Sequence, residues 1–440
     1  MVNSYIKRMK GSSNSIKNNF MWILVGNILY ALSQWLIISL MSKFGDIEMV
    51  GEYTLALAIT APIFLLMNFN LRSMQATDQN NELSFIHYYS FRNLTSLTAF
   101  FLIFVFLLFV DYSITTTSAI VLVAIIKAIE SQSDVVFGYF QKIEKMKFIS
   151  LSKIIKGILN VLTLSIVLLT TNNLLVALIC MLSANTLILV SFDIKNLYKN
   201  GVKKIKLKDL FRLKNNKKTF ASIIVMGIPL GISSMLDSLT INSQRYIIES
   251  TFSISEVGYY SSIAYLMVFG HTIVGALAHA VLPRLAKYFM NDLKQYINSI
   301  ILLTLGGVLL GTVLVTISYF LGDTILILLY TEEFASYSNI FVVIMFAASV
   351  WYLVGFLNTA LLATRSFNFQ LPVYFLSFLV TFILTILLSN RFGLIGASYA
   401  LLGGMITRLL IILIVLVIII IKNKNKLSEG DNLLNERSPN

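Results

Sequence analysis

Apolar residues along this chain do not alternate as in a half-buried strand, nor do they recur at the three-and-four spacing of a surface helix. They run on continuously in blocks of about twenty, from residue 20 to residue 421. A block of that length suits the roughly 20 residues that an α-helix needs to cross the hydrocarbon core of a bilayer. Twelve blocks can be drawn, at residues 20–42, 53–71, 94–110, 113–140, 149–170, 174–192, 220–240, 259–282, 297–321, 340–362, 371–388 and 394–421. Strands of a membrane barrel would alternate over about ten residues, and these blocks do not. The expected fold is therefore all-α, a polytopic membrane protein of about twelve helices. Polar stretches frame it: an N-terminal segment at residues 1–19, a linker at 193–219 and a tail at 422–440. Between them lie an N-lobe at 20–192 and a C-lobe at 220–421.

Composition agrees with a bilayer as solvent. The 440 residues are 57% hydrophobic and 12% charged, where a soluble domain carries about 25% charged residues. The net charge of +13 would suggest nucleic acid on a soluble domain; here its placement along the chain matters more. With the N-terminus inside, alternate loops collect Lys7, Arg8, Lys10, Lys17, Arg72, Arg92, Lys142, Lys145, Lys147, Lys153 and Lys156. The linker lysines, Arg284, Lys287, Lys294, Arg365 and the tail cations fall on the same side. The other side holds Lys43, Arg245 and Arg391 alone, and its turns carry acids instead. Such a bias places both termini in the cytoplasm. The basic N-terminal segment precedes a full-length span without a cleavage site, so no removable signal peptide is expected.

Soluble enzyme chemistry finds no foothold. The single cysteine, Cys180, allows no disulfide within the chain, and the histidines are His87, His271 and His279 only. There is no phosphate-binding GK[ST] loop, no HExxH and no GxSxG. No metal, cofactor, nucleic-acid partner or enzymatic activity is expected.

A short repeat divides the chain. Val50-Gly51-Glu52-Tyr53 follows the first block, and Val257-Gly258-Tyr259-Tyr260 follows the seventh. Both sit in a turn and open the next span, six spans apart. Two six-span halves of the same orientation are the arrangement of transporters built from parallel repeats.

A charge at bilayer depth costs about 2.5–3.5 kcal/mol on insertion scales, so each one is a candidate site. Lys127, Glu130 and Asp134 share a stripe of the fourth span, and Arg408 lies in mid-span on the twelfth. Asp237 and Arg245 lie on the seventh span, His271 on the eighth, and Asn27 and Gln34 with Tyr30 on the first. Local ion pairs and interhelical hydrogen bonds would explain these residues as packing. A cavity with cations at mid-depth would explain them as function. In that reading Lys127, Arg408, Arg245, Asn27 and Gln34 bind an anionic head group such as a phosphate or pyrophosphate. Glu130, Asp134, Asp237 and His271 then balance charge or carry a coupling H+ or Na+. Pro62 and Pro229, in the second and seventh spans, are kinks or hinges.

Longer stretches carry a family resemblance. Asn27, then Leu40-Met41-Ser42-Lys43-Phe44-Gly45 and Val50-Gly51-Glu52-Tyr53, resemble the start of Wzx-like polysaccharide transporters, the lipid-linked oligosaccharide flippases. Ile228-Pro229-Leu230-Gly231-Ile232-Ser233-Ser234, Asp237, Arg245-Tyr246-Ile247-Ile248 and Phe392-Gly393-Leu394-Ile395-Gly396-Ala397-Ser398-Tyr399 continue the likeness. The family shares a superfamily with the MATE multidrug exporters. The resemblance implies two six-helix lobes in a V. It implies passage of undecaprenyl-pyrophosphate-linked sugar units between the leaflets of the bacterial cytoplasmic membrane, for capsule or O-antigen assembly, by alternating access with ion coupling. Membrane lipids and a polysaccharide polymerase or glycosyltransferase are the partners it implies. A MATE-type drug or ion antiporter is the alternative, although the first span has no acid. A membrane polysaccharide polymerase is a further alternative, although no long outer loop is present.

Overall fold

The computed structural model describes residues 2–78, 83–203, 217–364 and 366–435. The linker stretch 204–216, Arg365 and Arg437 lie outside the described residues. Helices account for nearly all of the rest, with no strand among the described residues. They are α1 (Val2–Phe44), α2 (Ile47–Met67), α3 (Leu71–Thr77), α4 (Phe85–Leu107), α5 (Ile114–Lys142), α6 (Met146–Thr170), α7 (Leu174–Ile188), α8 (Lys195–Lys199), α9 (Lys217–Thr251), α10 (Ile254–Asn291), α11 (Leu293–Leu329), α12 (Ser338–Ala363) and α13 (Gln370–Asn435). Polar residues between apolar runs start several of them. The Ser113 hydroxyl accepts from the Thr116 amide at 3.1 Å, and the Asn173 carboxamide accepts from the amides of Leu175 and Val176. These contacts satisfy amides that the first turn of a helix leaves open.

Eleven helices among the described residues are long and apolar enough to cross a membrane. The last covers Gln370–Lys424, 55 residues, or about 80 Å at 1.5 Å per residue, while the hydrocarbon core is about 30 Å thick. Its geometry resolves the excess. Gly393 has φ 65° and ψ −145°, a conformation open to glycine and strained for other residues. On either side of it the chain lies against itself: Arg408 Nε donates to Ser377 Oγ at 3.1 Å, and the Ser377 hydroxyl lies 3.4 Å from the Gly404 carbonyl. α13 is thus a hairpin of two apolar arms, which makes twelve helices of spanning length among the described residues.

The chain forms two compact units, Met1–Phe269 with Leu326–Phe334, and Gly270–Ile325 with Ala335–Asn440. In the first, α1 packs on α6, α2 on α5 and α9, and α6 on α7. In the second, α12 packs on α13.

The repeated motif meets itself inside the first unit. A Cβ on Gly51 would lie 2.0 Å from the Ile254 carbonyl oxygen, and one on Gly258 would lie 2.4 Å from that of Ile47. Each glycine therefore admits the backbone of the other copy, four residues before the other glycine. Ile47 and Ile254 are also the first residues of α2 and α10.

The second span is broken, though not at Pro62. α2 runs helical through Pro62 to Met67, and the departure comes at Phe69 and Asn70, with φ of 47° and 51°. α9 likewise continues through Pro229. The break packs against α9 at glycines: a Cβ on Gly227 would lie 2.8 Å from the Phe69 carbonyl oxygen, and one on Gly231 would lie 2.5 Å from that of Leu66.

Candidate functional site

A cavity of about 370 Å³ opens within the first unit, walled by α1, α2, α3, α5 and α6. Its polar lining includes Tyr30, Asn68, Arg72, Lys127, Glu130, Asp134, Lys153 and Lys156. Three of these come from one stripe of α5. Steps of three and four residues bring side chains to the same helical face, and Lys127, Glu130 and Asp134 all face the cavity. Arg72 arrives by a different route. The break at Asn68–Asn70 ends α2 and restarts the chain as α3, which carries Arg72 to Asp134.

The charges pair unevenly. Lys127 Nζ lies 2.8 Å from Glu130 Oε2, and the Tyr30 hydroxyl donates to Glu130 Oε1 at 3.1 Å. Asp134 serves two arginines, Arg72 at 3.5 Å and Arg92 at 3.6 Å. Arg92, only 1% exposed, also donates to the Asn68 side chain, which ties the break in the second span to the cavity wall. Lys156 Nζ pairs with Asp193 Oδ2 at 2.9 Å and donates to Ser133 Oγ. Lys153 differs. Its Nζ donates to the neutral Asn27 Oδ1 at 2.8 Å and lies 5.9 Å from the centre of the Tyr30 ring. Among the described residues no carboxylate lies within ion-pair distance of Lys153. The cluster holds five cations (Arg72, Arg92, Lys127, Lys153, Lys156) against three carboxylates (Glu130, Asp134, Asp193), a net charge of +2 at ordinary protonation. A surplus of this kind in low dielectric attracts an anion strongly.

The other residues singled out in the sequence lie elsewhere. Asn27 is the partner of Lys153. Gln34 lines a small neighbouring pocket with Tyr53 and Asn160, reached also by Lys127 and Glu130. Arg245 is buried in the first unit, its Nε donating to Ser261 Oγ at 2.8 Å and its guanidinium 5.4 Å from the Tyr265 ring centre. Asp237 is half-buried on α9. Arg408 and His271 belong to the second unit. Arg408 is fully buried against Ser377 and the Tyr374 ring. His271 stacks on Trp351 with ring centroids 3.6 Å apart and planes 2° apart.

Five residues of the cluster were read from the sequence as loop or linker residues. Arg72 and Arg92 flank the drawn spans but are helical and face inward. Asp193 lies just beyond the sixth block, yet helix continues through it to Lys199. Lys153 and Lys156 belong to α6, not to a cytoplasmic loop. The signal for this pair was present, because both fall inside the block drawn from residue 149 and sit three apart on one face.

Comparison with known proteins settles the family. A family model described as polysaccharide biosynthesis protein matches residues 16–289. The chain belongs to this polysaccharide biosynthesis family. It is 31% identical over 382 residues to the capsular polysaccharide biosynthesis protein CapF of Staphylococcus aureus, covering 86% of this chain and 94% of that one. Among solved structures, the lipid II flippase MurJ in an inward closed conformation shares the fold with TM-score 0.71, at 14% identity over 96% of this chain and 93% of that one. An inward-facing MATE family transporter of the MOP superfamily matches with TM-score 0.66, at 11% identity over 92% of this chain and 96% of that one. This member of the family is thus a multi-pass membrane protein with a transporter fold.

Proposed function

We propose that the protein is a flippase that moves a polyprenyl-diphosphate-linked oligosaccharide across the cytoplasmic membrane for capsule or related surface polysaccharide, and that the cavity of the first unit receives the diphosphate. The observation that carries this reading is Lys153, a half-buried ammonium in a cavity of net positive charge, bonded to an amide and with no carboxylate at ion-pair distance among the described residues. A cation partly withdrawn from water with no carboxylate beside it favours an anion, and a diphosphate diester would supply that charge. The names of the relatives, a capsular polysaccharide biosynthesis protein and a lipid II flippase, support the same substrate class. Exporters of cationic drugs share the fold, but a surplus of cations suits their substrates poorly. Both termini lie in the cytoplasm in this proposal, the two six-helix lobes alternate access to the leaflets, and Glu130 and Asp134 are the candidate sites for a coupling H+ or Na+.

The test is flipping of a labelled isoprenoid-diphosphate oligosaccharide in proteoliposomes, followed by its accessibility to an external enzyme. A hydrogen bond to a charged group contributes about 1.5–3 kcal/mol, so Lys153→Gln should lower transport efficiency by about tenfold or more with the protein still folded. Normal flipping by this variant would remove the cavity from the proposal. Absence of flipping by the wild type under any ion gradient would remove the function.

A further inference from the structure

The path from α7 into α8 is not a regular helix. Between Leu189 and Ile194 it widens into a π-helical turn. Such turns are rare overall but frequent at functional sites. One extra residue rotates everything after it by about 100° around the axis, since a turn holds 3.6 residues. The residue carried by this turn is Asp193. It is 1% exposed, bonded to Lys156 through Oδ2, while its Oδ1 is buried without a hydrogen-bond partner among the described residues. Lys156 is 4% exposed, and its ammonium lies 5.3 Å from the Phe137 ring centre and touches Ser133. Ser133, Phe137 and Lys156 line the cavity; Asp193 stands behind them.

A pair of this kind is a poor stabilising device. Removing two charges from water costs about as much as their attraction returns, and well-packed apolar side chains often do as well. A helix distorted to bury one more carboxylate, with half of it unsatisfied, calls for another explanation. The charge count of the cavity provides one. With Asp193 the cluster stands at +2; without it the same cavity would stand at +3. A diphosphate diester carries two negative charges. A site that must load this head group and then release it gains nothing from binding so tightly that release becomes slow.

We propose that Asp193 is a positioning residue that sets the charge of the cavity: the π-turn brings its carboxylate to Lys156, neutralises that ammonium, and leaves a surplus matched to a dianionic head group. Asp193 acts through Lys156 and does not touch the substrate. The inference rests on the anionic-site reading above, and the experiment separates the two.

The full-length protein in detergent is titrated with a soluble short-chain isoprenyl diphosphate monosaccharide and with its monophosphate counterpart. Asp193→Asn is expected to tighten diphosphate binding by about fivefold, from the added charge. In proteoliposomes it should lower KM and kcat together, as slow release would. Asp193→Asn combined with Lys156→Gln should lose that gain. Lys156→Gln alone should weaken binding by a similar factor, which provides a readout even if the single Asp193 variant fails to fold. Unchanged binding by folded Asp193→Asn, or by Lys156→Gln, overturns the charge-setting role. So does a double variant that stays as tight as Asp193→Asn. If the wild type fails to bind the diphosphate probe, the anionic-site reading falls, and this inference with it. If the wild type binds and Lys153→Gln weakens binding while the Asp193 and Lys156 variants change nothing, only the charge-setting role falls.

Discussion

Asp134 has two arginines to answer while Lys153 has no carboxylate at ion-pair distance among the described residues, and this imbalance carries more of the site than any single charge does. Arg92 is fully buried with Asp134 as its ionic partner. Loss of that partner leaves a buried guanidinium uncompensated, at a cost of about 3–5 kcal/mol for a fully buried pair, less here because the Asp134 side chain is 30% exposed. Asp134→Asn should therefore lower thermal stability in detergent measurably, whereas Lys153→Gln should leave it nearly unchanged. Equal melting temperatures for Asp134→Asn and wild type would show that Arg92 is held by other groups. At this scale the sequence was half legible. Lys127, Glu130 and Asp134 stood out because they interrupt an apolar run at helical spacing. Arg72, Arg92, Lys153, Lys156 and Asp193 did not, because each lies within a turn or two of a block end, where a long polar side chain can equally well reach water. Only packing decides which way such a residue turns.

Individual helices were read well for existence and poorly for irregularity. Twelve apolar blocks correspond to twelve helices of spanning length among the described residues, and the last two emerge as a hairpin about Gly393. The break in the second span and the π-turn after α7 fall at the polar ends of their apolar blocks, at Asn68–Asn70 and Ser191–Asp193, where the hydrophobic pattern marks the end of a span and not the geometry of the backbone. Proline drew attention to residue 62, where α2 stays helical; the neighbouring helices and the Asn68–Arg92 contact place the break later. A left-handed backbone costs an ordinary L-residue roughly 1–2 kcal/mol, less for asparagine. Asn70→Gly should keep or slightly raise thermal stability, while Asn70→Val should lower it by about 1–2 kcal/mol. A Val variant as stable as wild type would mean that the left-handed turn at residue 70 relaxes without cost.

For the molecule as a whole, an even number of crossings puts both termini on one side of the membrane. In the proposed topology that side is the cytoplasm, as the lysine and arginine bias predicts, although Arg72, Arg92, Lys153, Lys156 and Arg245 no longer count toward it because they are helical and turned inward. The remaining loop cations still favour the same face. Tags at the two ends of the chain should both be cut by protease only after spheroplasts are permeabilised. A tag cleaved from outside intact spheroplasts would reverse the orientation or remove a crossing. The six-and-six division rests on Val-Gly-x-Tyr in two copies and belongs to the proposal; the two compact units divide the chain at Phe269, with Leu326–Phe334 joining the first.

The contact between those copies accounts for how little of the repeat survives in the sequence. Gly51 and Gly258 each press on a main-chain carbonyl, at Ile254 and Ile47, and a carbonyl oxygen is common to every residue type. The fit asks for a missing side chain on one partner, and on the other for a main-chain oxygen with an isoleucine side chain beside it. If the halves descend from one ancestral segment, the residues around each glycine could drift apart without disturbing the joint, while the glycines could not. A duplication held together in this way would be expected to fade from the sequence nearly everywhere except at the point where its two products touch.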